Sequence, residues 1–166
     1  QTLGKLGIGQ QTGIDLNNEF SGINPNKEWK ESKLKQPWYV GETVITSIGQ
    51  GNMLTTPLQI ARYTGYIATG KLVKPHFNKS HFEEPKELDI PLKHLDIMRK
   101  GMYDVSYGEK GTARKYLSSK VPIATKTGTA QVVTIPQSEK VRMKESEMEY
   151  YQRSHAWITS YGPYKN

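Results

Sequence analysis

Apolar and polar positions divide this chain into stretches of different period, and the clearest of them is helical. Thr56 reads as an N-cap, Pro57 takes the first helical position, and Gln59 completes a Thr-x-x-Gln capping box. Leu58, Ala61, Ile67 and Ala68 lie broadly on one side, and Gly70 can end the run in the left-handed conformation. The spacing therefore predicts a helix over 56–69. A second is predicted over 89–107, where Leu92, Leu95, Met98, Met102 and Val105 form one apolar stripe. The Pro- and charge-bearing stretch 73–88 between them reads as a loop.

After Gly108 and Gly111 the period falls to two. From Thr127 to Thr134, one face of a strand would carry Thr127, Thr129, Gln131 and Val133, and the other Gly128, Ala130, Val132 and Thr134. A last strand is predicted over 154–161, with Ala156, Trp157, Ile158 and Tyr161. The charged stretch 136–152 between them reads as a loop or exposed helix, so the two strands should pair as an antiparallel hairpin. Residues 1–26, with five glycines, read as turns linking short segments. The Lys-rich stretch 27–38, which holds Trp29 and Trp38, reads as an exposed loop or short helix. Helices and strands are segregated along the chain, which gives the fold class α+β: an antiparallel sheet with flanking helices.

Composition adds one constraint. Of 166 residues 35% are hydrophobic, ten of them Tyr. Leaving out Tyr and counting Gly gives about 38%, below the roughly 45–50% usual for a soluble domain. One domain with a thin core is expected. No run is long and apolar enough to cross a membrane. The chain opens on Gln1 and carries no signal-peptide pattern, which suggests an excised or processed piece. It has no cysteine, so disulfides, thiolate metal sites and cysteine nucleophiles are excluded. The four histidines, at 76, 81, 94 and 155, show no metal-ligand spacing; neither a metal nor another cofactor is expected. The net charge of +7 comes from lysines and arginines spread along the chain, without a basic run or recognition motif, so no nucleic-acid partner is expected.

The run Lys126-Thr127-Gly128-Thr129-Ala130-Gln131 is the chief candidate for chemistry. It offers a cation, two hydroxyls sharing a strand face, and a glycine that leaves room for a substrate backbone. Such an edge could take an extended peptide by strand addition and hold a carboxylate with Lys126, Thr127 and Thr129. It is not a phosphate loop, because Thr125 rather than glycine precedes Lys126. Neither is Gly4-Lys5-Leu6-Gly7-Ile8-Gly9, which lacks the GxGxxG order. Taken alone, Lys-Thr-Gly fits an ordinary strand start equally well.

Other motifs narrow the reading. Thr12-Gly13-Ile14-Asp15-Leu16, Trp38 with Gly41-Glu42-Thr43, Ile48-Gly49-Gln50-Gly51, Thr56-Pro57-Leu58-Gln59-Ile60-Ala61, Gly111-Thr112-Ala113, the KTGTAQ run and His155-Ala156-Trp157 follow in order. Together they resemble the class B penicillin-binding proteins, nearest the elongation-type penicillin-binding protein 2 group, over essentially the whole chain. The resemblance implies a penicillin-binding/serine β-lactamase-like transpeptidase domain. In that family an S-x-x-K serine attacks the D-Ala-D-Ala stem peptide, an S-x-N motif relays protons, and K-T-G forms the opposite wall.

By the same resemblance, Lys126 would supply positive potential and orient the relay. Thr127 and Thr129 would hold the terminal carboxylate, with Gly128 leaving space between them. The Thr129 backbone N–H would be one oxyanion donor, and Gln131 and Trp157 would line the cleft. Ser32-Lys33-Leu34-Lys35, Thr2-Leu3-Gly4-Lys5 and Thr112-Ala113-Arg114-Lys115 do not stand where the family places its nucleophile, and S-x-N is absent. The resemblance thus implies that residues 1–166 are the C-terminal portion of a transpeptidase domain. They would supply the K-T-G wall without the nucleophile and fold beside an upstream segment of the same protein. The implied ligands and partners are peptidoglycan stem peptides, β-lactams, and elongation-complex proteins including a glycosyltransferase and a scaffold protein. The implied place is the periplasmic side of the bacterial envelope, on a protein anchored in the inner membrane outside this chain. The alternative is an inactive module that binds wall peptides or sensor ligands.

Overall fold

A computed structural model describes residues 2–118, 120–131 and 144–165. The helices are α1 (Thr2–Lys5), α2 (Lys27–Leu34), α3 (Val40–Ser47), α4 (Pro57–Thr69) and α5 (Leu92–Tyr107). The strands are β1 (Lys71–Leu72), β2 (Lys86–Glu87), β3 (Ala124–Ala130) and β4 (His155–Tyr161). β1 pairs antiparallel with β2, and β3 with β4.

The local signals around α4 act as predicted. Thr56 Oγ1 accepts from the Gln59 N–H at 3.2 Å, Gln59 Oε1 accepts from the Thr56 N–H at 3.1 Å, and Gly70 ends the helix at φ 77°. Gln59 does more than cap. Its Nε2 also donates to the carbonyls of Gln10 and Ser21 at 2.6 and 2.7 Å, tying the N-terminal loops to the helix. The buried side is only partly the expected one. Ile67 is buried as predicted, but Ala61 is exposed, Leu58 and Ala68 are half-buried, and Gln59, Thr64 and Tyr66 are buried as well. Tyrosine rings bury far more area than alanine methyls, so Tyr63 and Tyr66 set the helix's rotation.

α5 begins at Leu92, the first residue of the apolar stripe and three residues later than the predicted start at 89. Ile90 precedes Pro91, and the proline ring keeps the residue before it out of the helical region. Leu95 and Met102 are buried while Leu92 stays exposed. The 73–88 stretch is not all loop: it supplies β2 and a 3-10 turn over Lys79–His81. Residues 27–38 contain a full helix, and Lys30 within it is buried rather than solvated.

Two apolar clusters form the core. Leu6, Tyr66, Leu72 and Leu95 make one; Ile67, Met102 and Ala124 make the other, and Tyr63 packs against both. The β3–β4 hairpin lies on α4 and α5, with a Thr64–Thr159 hydroxyl pair at 2.7 Å fastening β4 to α4. Its register runs without interruption from Ala124↔Tyr161 to Ala130↔His155, the expected antiparallel hairpin. β3 starts at Ala124, which makes Lys126 its third residue. The predicted positions Val132, Val133 and Thr134, and 136–143 of the charged stretch, lie outside the described residues. Its remainder holds two short 3-10 turns, Glu145–Glu147 and Tyr150–Gln152.

Candidate active-site wall

Strand alternation sorts the K-T-G residues onto two faces. Thr159 faces α4 and stands opposite Lys126, so Lys126 shares the helix-side face with Ala124 and Gly128. Thr127 and Thr129 share the other face. Lys126 reaches back to donate to the Thr127 carbonyl, and among the described residues it has no carboxylate partner. A Cβ added at Gly128 would meet nothing nearer than the Trp157 Cβ at 3.8 Å. Packing within the fold therefore does not demand glycine there; its value lies in the space left open in front of the strand. Among the described residues β3 is paired on one side only, with β4. Its other edge presents backbone groups that an added strand could bond.

A cleft of about 310 Å³ runs along this strand. Lys126 to Ala130 and Trp157 to Thr159 form one side; Ile48, Gly49, Gln50, Thr55 and Ile60 form the other. Trp157 thus lies in the cleft wall, whereas Gln131 is exposed one residue beyond β3 and outside it. Sequence reasoning missed the Ile48-Gly49-Gln50 side as cleft lining. Its only signal was the motif itself, since nothing local says which strand the turn will face. A larger depression of about 460 Å³ beside Tyr103 and Tyr164 touches none of these motifs, and its Lys100 is already paired with Asp104 at 2.6 Å. The cleft over β3, which carries the Lys-Thr-Gly run, is the better site.

Three carboxylates hold the motif-bearing loops that lead to this cleft. Glu42 accepts from Lys30 Nζ at 2.6 Å and from the Tyr39 N–H at 2.8 Å; these bonds hold its carboxyl below the usual glutamate range. They fix the start of α3, whose end turns into Ile48 and Gly49. Burial pushes Glu19 up, but bonds from the Thr12 hydroxyl and the Thr12 and Gly13 N–H groups, with the Arg62 charge, outweigh it and lower the net value. Asp15 accepts from the N–H groups of Asn78 and Phe77 and from His81 Nδ1, and is held well below the carboxylate range. No group of three or more metal-ligating side chains is assembled among the described residues. Nor is any helix among them long and apolar enough to cross a membrane.

Comparison with known proteins decides the family. The sequence matches the penicillin binding protein transpeptidase domain over residues 1–166. The chain belongs to this family. It is 36% identical over 177 aligned residues to the peptidoglycan D,D-transpeptidase MrdA of Escherichia coli K12, covering 99% of this chain and 28% of that protein. Among solved structures it is similar to PBP2 from Helicobacter pylori in complex with MreC, with a TM-score of 0.85 and 46% identity over 99% of this chain and 29% of that one. It is also similar to Pseudomonas aeruginosa PBP2 in complex with WCK 5153, with a TM-score of 0.80 and 32% identity over 99% of this chain and 35% of that one. The chain thus spans about a third or less of the relatives it matches, and its α+β arrangement is that of the transpeptidase fold.

Proposed function

We propose that this chain is the C-terminal portion of the transpeptidase domain of a peptidoglycan D,D-transpeptidase acting in cell-wall elongation and cell shape. The observation that carries this reading is the cleft along β3, where Lys126, with no carboxylate partner among the described residues, and the Thr127-Gly128-Thr129 edge face an open channel. The catalytic serine is supplied by residues outside these 166. Its hydroxyl attacks the penultimate D-Ala carbonyl, the C–N bond breaks, and the terminal D-Ala leaves as the amine. An amine from a second stem peptide then takes the acyl group from the serine. A β-lactam acylates the same serine through its strained amide.

In that reaction Lys126 supplies positive potential and orients the proton relay, and Thr127 and Thr129 hold the terminal carboxylate. The Thr129 N–H donates to the developing oxyanion, where losing one donor costs on the order of 3 kcal/mol of barrier. Trp157 lines the cleft, and Gln131 stands where a longer substrate leaves it. The H. pylori relative was solved with MreC. By analogy, an elongation-complex scaffold protein and a glycosyltransferase are the partners here, on the periplasmic face of the inner membrane.

The test is intact-mass spectrometry of the full-length protein with benzylpenicillin. The wild type should gain one penicilloyl adduct on a serine outside 1–166. Lys126→Ala should keep its melting temperature and lose about a hundredfold or more in acylation rate. Wild-type speed in that variant removes Lys126 from the site. No adduct on the wild type favours an inactive module that binds wall peptides.

A further inference from the structure

The turn after α5 holds a hydroxyl that no step above uses. A Cβ at Gly111 would lie 2.5 Å from the Val105 carbonyl oxygen and 2.6 Å from that of Asp104, so only glycine fits there. Its N–H donates to the Gly108 carbonyl at 2.9 Å. On the far side Ala113 is 3% exposed, and its N–H donates to the Val105 carbonyl at 3.1 Å. Thr112 is thus pinned between two anchored neighbours while itself exposed. Its Oγ1 lies 3.0 Å from Thr127 Oγ1. Each residue of Gly-Thr-Ala then has a reason: close approach, a presented hydroxyl, and a small buried anchor.

A threonine hydroxyl has one proton and can accept two more bonds, whereas a carboxylate can only accept. If Thr127 donated to Thr112, it would turn only lone pairs toward an anion, and the contact would be repulsive. If Thr112 donates to Thr127, the Thr127 proton is free to point into the cleft. We propose that Thr112 is a positioning residue that, through the 3.0 Å contact, aims the Thr127 proton at the substrate carboxylate. The chain Thr112 to Thr127 to carboxylate ends on a charge and is strengthened along its length. This inference rests on the reading of Thr127 as a carboxylate ligand.

The test compares acylation of the full-length protein by benzylpenicillin and by its methyl ester, which presents no anion. The wild type should react faster with the acid. Thr112→Val should lower the acid rate about tenfold and the acid-to-ester ratio with it, while Thr112→Ser keeps both within about twofold. Adding Thr127→Val should cost no more than Thr127→Val alone, because both act on one contact. An unchanged ratio in Thr112→Val, or equal loss on acid and ester, overturns the proposal. Thermal melting checks the fold, and Thr112→Ala gives the same ratio should the valine variant melt early. A wild type that forms no adduct at all overturns the proposed function instead.

Discussion

The two walls of the cleft belong to regions held together by different forces. β3 sits on α4 and α5, each of which contributes a buried side chain to both core clusters. Ile48, Gly49 and Gln50 belong to residues 10–55, where among the described residues Pro25 is the only buried apolar side chain. What is buried there is Thr12, Pro25 and Lys30. Within these 166 residues several of its large apolar side chains are left uncovered: Phe20 is 81% exposed, Val40 85% and Ile48 72%. Carboxylates do the holding. Burial is non-directional and fixes little beyond proximity, whereas a carboxylate gripping two or three donors fixes position. The width of the cleft therefore depends on a few charged pins, and its back wall on a conventional core.

The largest effect should come from the cored region. Tyr66 is 1% exposed within the Leu6–Leu72–Leu95 cluster. Tyr66→Ala should cost about 3–5 kcal/mol, seen as a large fall in melting temperature of the full-length protein. Thr12→Val, which removes the hydroxyl donor to Glu19 in the pinned region, should move the melt less. Equal losses would erase the distinction between the two regions.

Next comes the Lys30–Glu42 pair. Lys30 is buried and Nζ lies 4.8 Å from the centre of the Tyr39 ring, whereas the Glu42 side chain is 23% exposed. That exposure makes the loss of one partner milder than in a sealed pair. Lys30→Met should raise amide hydrogen exchange over 40–47 by about tenfold and leave the protection of α4 and α5 unchanged. Exchange that rises equally in α4 would mean the pin and the core form one cooperative unit.

This division also explains what the sequence could reveal. α4 was legible because Thr56, Pro57, Gln59 and Gly70 carry their signals within one or two turns. The hairpin was legible because period two survives on both sides of the charged excursion. α3 was not legible. Val40, Val44, Thr43 and Ile45 are β-branched and give no helical stripe. The helix depends on Glu42, which caps Tyr39 and reaches Lys30 twelve residues away. The site divides the same way. Lys126, Thr127, Gly128 and Thr129 stand in one run and could be named from it. The Thr112–Thr127 contact spans fifteen residues, and the Ile48–Gln50 wall meets β3 only in the folded chain.

The smallest effect is the dependence on acid. The folded pKa values of Asp15, Glu19 and Glu42 all lie below the ordinary carboxylate range. Their contribution to stability is therefore complete above that range and is lost as pH falls through it toward the lowered folded values. Core burial carries no such titration, so acid should loosen 12–55 before α4 and α5. Pepsin works at about pH 3, below the usual carboxylate pKa values, and within this chain should cut the full-length protein first at sites in 12–55. A neutral-pH protease of similar preference should cut those sites more slowly, relative to sites in α4 and α5. First cleavage inside α4 or α5 at acid pH would show that the carboxylates do not carry the pinned region, and the cleft's second wall would need another support.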